Sequence, residues 1–281
     1  MTGMELYDKT SSNISKLVTT SYSTSFSLAT RMLNKRHRDA IYGVYGFVRF
    51  ADEIVDTFHG HDQKEMLDKF EADLKYALKS KICLNPVLHS FQSVVNEYKI
   101  PYEYIEAFLT SMRFDLRKKN YSSQLETDIY VYGSADVVGL MCLHIFCDAD
   151  SDKIKQMRVP AMKLGSAFQK VNFLRDLKND AEELGRIYFH HIDYKNFTEE
   201  VKQQIIDEIK KDLELAAIGI KMLPNDAKIA VSIAYFYYKR LLQKLNNTPA
   251  QRIKEARIRI SNTTKLLILV RVYFLGKLRL L

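Results

Sequence analysis

The chain has no tryptophan, and only 10 glycines and 5 prolines in 281 residues. Average usage predicts roughly 34 of those last two together. Strands joined by tight turns depend on them, so their scarcity disfavours a β-rich fold and points to an all-α one. The three cysteines, Cys83, Cys142 and Cys147, are an odd number without a Cys-x-x-Cys pair. They suggest neither a disulfide framework nor a cysteine zinc site, and fit a reducing, cytoplasmic setting. A basic-then-apolar leader is lacking, with Glu5 and Asp8 coming early. Apolar runs such as Leu266 to Val270, stopped by Arg271, fall short of the ~18 residues that span a bilayer.

What is present is a core's worth of apolar residues, 47%, and an uneven charge. The net charge is +8, of which residues 251–281 carry +7, leaving a near-neutral body. A protein that coats nucleic acid over its surface is therefore disfavoured, while a local anion or membrane-surface site stays open. Apolar positions recur at three- and four-residue spacing and predict ten helices near 11–32, 36–58, 62–79, 86–98, 102–119, 125–147, 151–183, 199–223, 226–246 and 250–275. Asn85-Pro86 reads as an N-cap with proline at the first helical position, and Thr198 with Glu199 and Glu200 as another start. No linker or 20–50-residue repeat divides the chain, so a single all-α domain, 1–281, is expected.

Acidic pairs at i,i+4 share a helix face and repel by a few tenths of a kcal/mol. Asp148/Asp152 and Glu208/Asp212 lie among polar and basic residues and read as solvated charge. Asp52/Asp56 and Asp176/Asp180 do not. At 100° per residue Tyr42, Tyr45, Arg49, Asp52 and Asp56 fall within about 80° of one another on a helix otherwise mostly apolar. Gln169, Asn172, Asp176 and Asp180 form a similar arc flanked by Phe168 and Phe173. A helix apolar around most of its circumference is buried, so these stripes should face an internal cavity. Buried carboxylates need counter-charge, and oxygen-ligated divalent cations supply it, with the Asn172 amide extending the ligand set. Magnesium takes one or two carboxylates plus substrate phosphates, so the pattern points to a phosphorylated substrate.

These residues resemble the squalene/phytoene synthases, the head-to-head branch of the isoprenoid synthases. The likeness runs through Ser23-Thr24-Ser25-Phe26-Ser27, Tyr45, Arg49 with Asp52-Glu53-Ile54-Val55-Asp56, Met112 to Leu116, and Tyr130-Val131-Tyr132-Gly133 to Val138-Gly139. It continues in Ala167-Phe168-Gln169, Asn172, Leu174-Arg175-Asp176, Asp180, Gly185-Arg186-Ile187-Tyr188 and Arg257-Ile258-Arg259-Ile260 with Lys265. The resemblance implies a helical bundle around a central cavity. It implies two or three magnesium ions on Asp52, Asp56, Asn172, Asp176 and Asp180, without NADPH. Prenyl diphosphate would meet Ser23, Ser25, Phe26, Tyr45, Arg49, Gln169, Arg175, Tyr238, Arg257 and Lys265, with Tyr132 also in a catalytic role. Thr24, Asp136 and His190 stand where lysine, glycine and proline are usual.

The implied reaction joins two prenyl diphosphates through a cyclopropyl-carbinyl diphosphate, with phytoene from two geranylgeranyl diphosphates as the expected product. Squalene or dehydrosqualene from farnesyl diphosphate is the alternative, and a non-catalytic assembly relative a second one. Thr30 and Tyr42 are expected along the prenyl tail, and Phe26, Tyr45 and Tyr132 on the cavity wall. The basic, apolar C-terminus is expected to touch anionic membranes. His59/His61 and His190/His191 lack the ligand spacing of a zinc site. Gly43 and Gly46 read as points of close helix approach.

Overall fold

The computed structural model describes residues 1–189, 194 and 196–278, so His190 and His191 lie outside it. The described residues form thirteen α-helices and one π-helical turn. They are α1 (Gly3–Tyr22), α2 (Thr24–Thr30), α3 (Lys35–Asp56), α4 (Gln63–Ser80), α5 (Pro86–Glu97), α6 (Tyr102–Asp115) and α7 (Gln124–Val131). The π turn (Tyr132–Asp136) leads into α8 (Val137–Phe146), then α9 (Ser151–Glu182), α10 (Glu199–Met222), α11 (Asn225–Asn246), α12 (Ala250–Glu255) and α13 (Asn262–Lys277). No β-strand occurs among them, only an isolated bridge between Asn120 and Ile187.

Local chemistry explains where the helices break. Ser23 closes α1 and opens α2 in an extended conformation, its hydroxyl accepting from the Phe26 amide at 3.2 Å. A side-chain acceptor there competes with helix continuation, so the helix expected over 11–32 is two helices, the first beginning at Gly3. The helix expected over 250–275 is also two. Ala256 is extended, Ile258 and Ile260 are buried while Arg257 and Arg259 stay exposed, and Ser261 caps α13. That alternation is a period-2 strap. Asn85 and Thr198 cap their helices as the sequence indicates.

One core group joins α3, α4, α5, α6 and α8 around Phe47, Phe91 and Phe108, and another joins α7, α9, α10, α11 and α12 around Leu174, Ile206 and Leu241. Close backbone approach is built in. A methyl on Gly43 would lie 3.0 Å from Val94 Cγ2, and one on Gly165 would lie 2.6 Å from the Ala135 carbonyl oxygen. The stretch Gln124–Phe146 is long and apolar enough by composition to cross a membrane, although no uninterrupted apolar run suggests it, and most of its apolar part is buried in the bundle. Asp212 departs from the solvated reading. It is buried, with Lys170 Nζ at 2.9 Å and Lys163 Nζ at 3.0 Å. Helices α9 and α10 pack along one another, so the charge that looks solvated on α10 alone falls in their interface.

Candidate active site

A cavity of about 720 Å³ runs through the bundle. Its lining on α3 extends from Ile41 to Asp56, roughly 22 Å along the helix axis, and on α9 from Met157 to Asp180, roughly 35 Å. On both helices the apolar residues come first and the acids last. Asp56 is the final residue of α3, and Asp180 lies two residues before the end of α9. Helix C-termini already carry partial negative charge, so carboxylates there lie against the helix dipole.

The acid end is electrostatically unfinished. Burial, the neighbouring Asp56 carboxylate and incomplete relief from Arg49 push Asp52 up to about 8. Burial, with Asp176 and Asp56 nearby, pushes Asp180 up to about 8. Asp176 is better served, gripped by Arg175 (Nε to Oδ1 3.0 Å, Nη2 to Oδ2 2.5 Å) and by Arg257 (Nε to Oδ1 2.7 Å). Arg49 pairs with Glu53, lies 4.4 Å over the Tyr22 ring and keeps a buried Nε without a partner. Among the described residues no three acidic, histidine or cysteine side chains converge into a ready ligand set. The donors nonetheless suit a hard cation shared with phosphate oxygens, being carboxylates that burial leaves short of positive charge, beside an amide oxygen.

Around this end the rings pair. Phe26 stacks on Tyr45 at 4.9 Å and Phe168 on Tyr238 at 3.9 Å, while the Tyr238 hydroxyl donates to Asn172 Oδ1 at 3.2 Å. Burial pushes the Tyr45 phenol up to about 12, so it stays protonated. Gln169 reaches Ser134 in the π turn at 3.4 Å, and Lys265 lies 5.6 Å over Tyr237.

Ser23, Ser25, Phe26, Tyr45, Arg49, Asp52, Asp56, Gln169, Asn172, Arg175, Asp176, Asp180, Tyr238, Arg257 and Lys265 all line this one cavity. Tyr132 does not. The wall takes Tyr130, Ser134, Val138, Cys142 and Phe146, and a residue two beyond Tyr130 lies roughly 200° around the helix. Tyr132 instead lies beside Arg158. Tyr42 is buried outside the lining as well. Thr30 does line the cavity, and its hydroxyl also back-bonds to the Phe26 carbonyl at 2.8 Å.

Behind the acids lies a network to which no separate role is assigned from sequence. Asp115 accepts from Tyr130 at 2.8 Å and from Tyr188 at 3.3 Å, and Arg186 holds Asp56 at 2.5 Å. Burial pushes Asp115 up to about 7 against the opposing pull of Arg186. Its signal was a lone acid in Met112-Arg113-Phe114-Asp115-Leu116, which a search for paired acids passes over.

An all-helical bundle around a central cavity, charged at one end and apolar along its walls, is the architecture of the isoprenoid synthases. The chain belongs to the squalene/phytoene synthase family, whose sequence model matches residues 19–264 and whose members join prenyl diphosphates head to head. It is 27% identical over 253 residues to the phytoene synthase of Arthrospira platensis, covering 81% of each chain. It is 28% identical over 196 residues to the 4,4'-diapophytoene synthase of Staphylococcus haemolyticus, covering 68% of this chain and 65% of that one. A dehydrosqualene synthase crystallised with a ligand has the same fold, with TM-score 0.82 and 23% identity over 96% of this chain and 98% of that one.

Proposed function

We propose that this protein is a single-domain, magnesium-dependent prenyl transferase that condenses two geranylgeranyl diphosphates head to head, giving phytoene and two diphosphates. The observation that carries the reading is the polarity of one cavity. Of the eighteen residues expected at the site or along the prenyl tail, sixteen line it, all but Tyr42 and Tyr132, with acids and guanidiniums gathered at one end and alkyl and aromatic walls elsewhere. Magnesium on Asp52, Asp56, Asn172, Asp176 and Asp180 would supply charge to neutralise the departing diphosphate.

The side chains do the rest. Arg49, Arg175, Arg257 and Lys265 bind and orient diphosphate oxygens. The allylic C–O bond breaks with its electron pair leaving on diphosphate, and the double bond of the second molecule attacks the cation. Loss of a proton closes the cyclopropane. The resulting cyclopropyl-carbinyl diphosphate ionises in turn, rearranges and loses a proton. The ring faces of Phe26/Tyr45 and Phe168/Tyr238 stabilise such cations by about 0.5–2 kcal/mol each, and the apolar walls exclude the water that would quench them.

The likeness to a 4,4'-diapophytoene synthase supports a second reading, the same reaction on farnesyl diphosphate. The setting we propose is cytoplasmic with peripheral membrane contact, and α13 supports the membrane contact, lining the cavity with Lys265, Ile268 and Leu269 while Leu266, Leu267, Val270 and Phe274 are exposed beside Arg271 and Lys277. The test is incubation of purified protein and magnesium with each prenyl diphosphate, with and without NADPH, and identification of the extract by mass. A forty-carbon polyene with a central conjugated triene is expected from the twenty-carbon substrate; hydrolysis alone, or no turnover, refutes the assignment.

A further inference from the structure

Directly behind the acid end lies a second cavity, of about 310 Å³, lined by Val55, His59, Gln63, Asp115 to Lys119, Glu183, Leu184 and Arg186. It shares Asp115 and Leu184 with the main cavity, so those two side chains and Arg186 form the partition. Arg186 is 6% exposed and faces both ways. Its Nη1 donates to Asp56 at 2.5 Å and lies 3.8 Å from Asp115, its Nη2 donates to the Val55 carbonyl at 3.0 Å, and it also lines the second cavity. The Asp56 side chain is 39% exposed, so the acid end opens toward solvent at its own ligand set.

The sequence after α6 makes this chamber basic. Arg117, Lys118 and Lys119 follow Asp115 and Leu116, and the segment is held against the Gly185–Tyr188 strand-like stretch by the Ile187 amide, which donates to the Lys119 carbonyl at 2.9 Å. Lys118 is committed to Glu126 at 2.7 Å. Arg117 and Lys119 are exposed and make no ion pair with the described residues. Two cations free of ion pairs, Arg117 and Lys119, thus line the chamber with the paired Lys118 and Arg186, facing Glu183 and an Asp115 already engaged by Tyr130 and Tyr188. A diphosphate set free at Asp56 carries several charges, which the alkyl walls of the main cavity repel and a basic chamber one side chain away attracts.

We propose that this chamber is an anion site for inorganic diphosphate, through which the leaving group of the reaction departs. The inference rests on the function proposed above, and its binding test does not need turnover. In EDTA no magnesium bridges diphosphate to the acid end, where Asp176 already occupies Arg175 and Arg257, so binding reports the free cations. Calorimetric titration of the full chain with inorganic diphosphate at low salt should show one saturable site. The site should weaken at least fivefold in Arg117→Ala/Lys119→Ala, and less than twofold in Lys239→Ala/Arg240→Ala, an exposed basic pair that lines neither cavity. Arg117, Lys119, Lys239 and Arg240 are all exposed, and unchanged thermal unfolding certifies each variant; Lys119→Glu alone should give the same direction of change. No saturable binding, or binding that the Arg117/Lys119 variant retains unchanged, overturns the proposal. In turnover with magnesium, inhibition by added diphosphate should weaken at least threefold in the Arg117/Lys119 variant. If the KM for prenyl diphosphate rises instead while diphosphate inhibition is unchanged, the chamber admits the substrate head group and the release assignment falls. Intact binding without turnover of any prenyl diphosphate sinks the enzymatic reading alone.

Discussion

Replacing Asp52 by Asn should stabilise the metal-free protein while abolishing turnover, and the stabilisation should grow with pH. Asp52 and Asp180 are both pushed from 3.8 to about 8. The folded chain therefore holds protons that the unfolded chain releases. Stability present below about pH 4 is lost as pH rises toward 8, at up to about 1.4 kcal/mol per pH unit for each group. Asp52→Asn removes one of the two. In EDTA its advantage over the parent should widen between pH 5 and pH 8 by roughly 3–6 °C per unit, taking about 2–4 °C for each kcal/mol in a chain of this size. Thermal unfolding at pH 5, 6.5 and 8 measures this directly. Magnesium with inorganic diphosphate should raise the parent's Tm at pH 8 and leave the variant nearly where it was. A parent whose metal-free Tm rises over this range, or a variant whose advantage does not grow, refutes the account of the acid end.

Asp176→Asn should retain less than about a tenth of kcat/KM, at least about 1.4 kcal/mol of barrier, and greater retention counts against the metal assignment. Thr30→Phe narrows a cavity wall and should shift the farnesyl-to-geranylgeranyl ratio of kcat/KM at least about tenfold toward farnesyl diphosphate; an unchanged ratio in a folded, active variant removes residue 30 as a gauge of the tail. Gly165→Ala drives a methyl to 2.6 Å from the Ala135 carbonyl oxygen and should cost about 1–3 kcal/mol in urea unfolding, where an unchanged midpoint would mean that the α9 backbone yields freely. Anionic vesicles should sediment the protein at low salt and neutral ones should not, with Leu267→Ser/Phe274→Ser releasing it; equal binding of variant and parent refutes the α13 surface.

The acid stripes of α3 and α9 were legible because burial and charge conflict there, and only a cavity reconciles them. Ten helices became thirteen where local hydrogen bonding overrode periodicity. Ser23 supplies its own acceptor, and Arg257-Ile258-Arg259-Ile260 alternates with period 2 inside an otherwise helical reading. The π turn was not legible at all, since a single extra residue leaves no composition signal, yet it sets which side chains of Tyr132–Phe146 face inward. Asp212 and Lys170 were hidden for another reason. Each looks solvated on its own helix, and only the packing of α9 on α10 shows them to be partners.

Arg175 and Arg257 both spend their charge on Asp176. The chain thus fills its strongest anion-recognising fork with one of its own carboxylates, a built-in stand-in for the phosphate oxygens that belong there. Thermodynamic reciprocity then governs the pocket. Whatever draws the Asp176 carboxylate away from the two guanidiniums raises their affinity for an external anion, and an anion that captures them raises the affinity for a cation at Asp176 by the same factor. Ligands of opposite sign recruit one another here without any change of fold, so occupancy should switch on together over a narrow range of concentration.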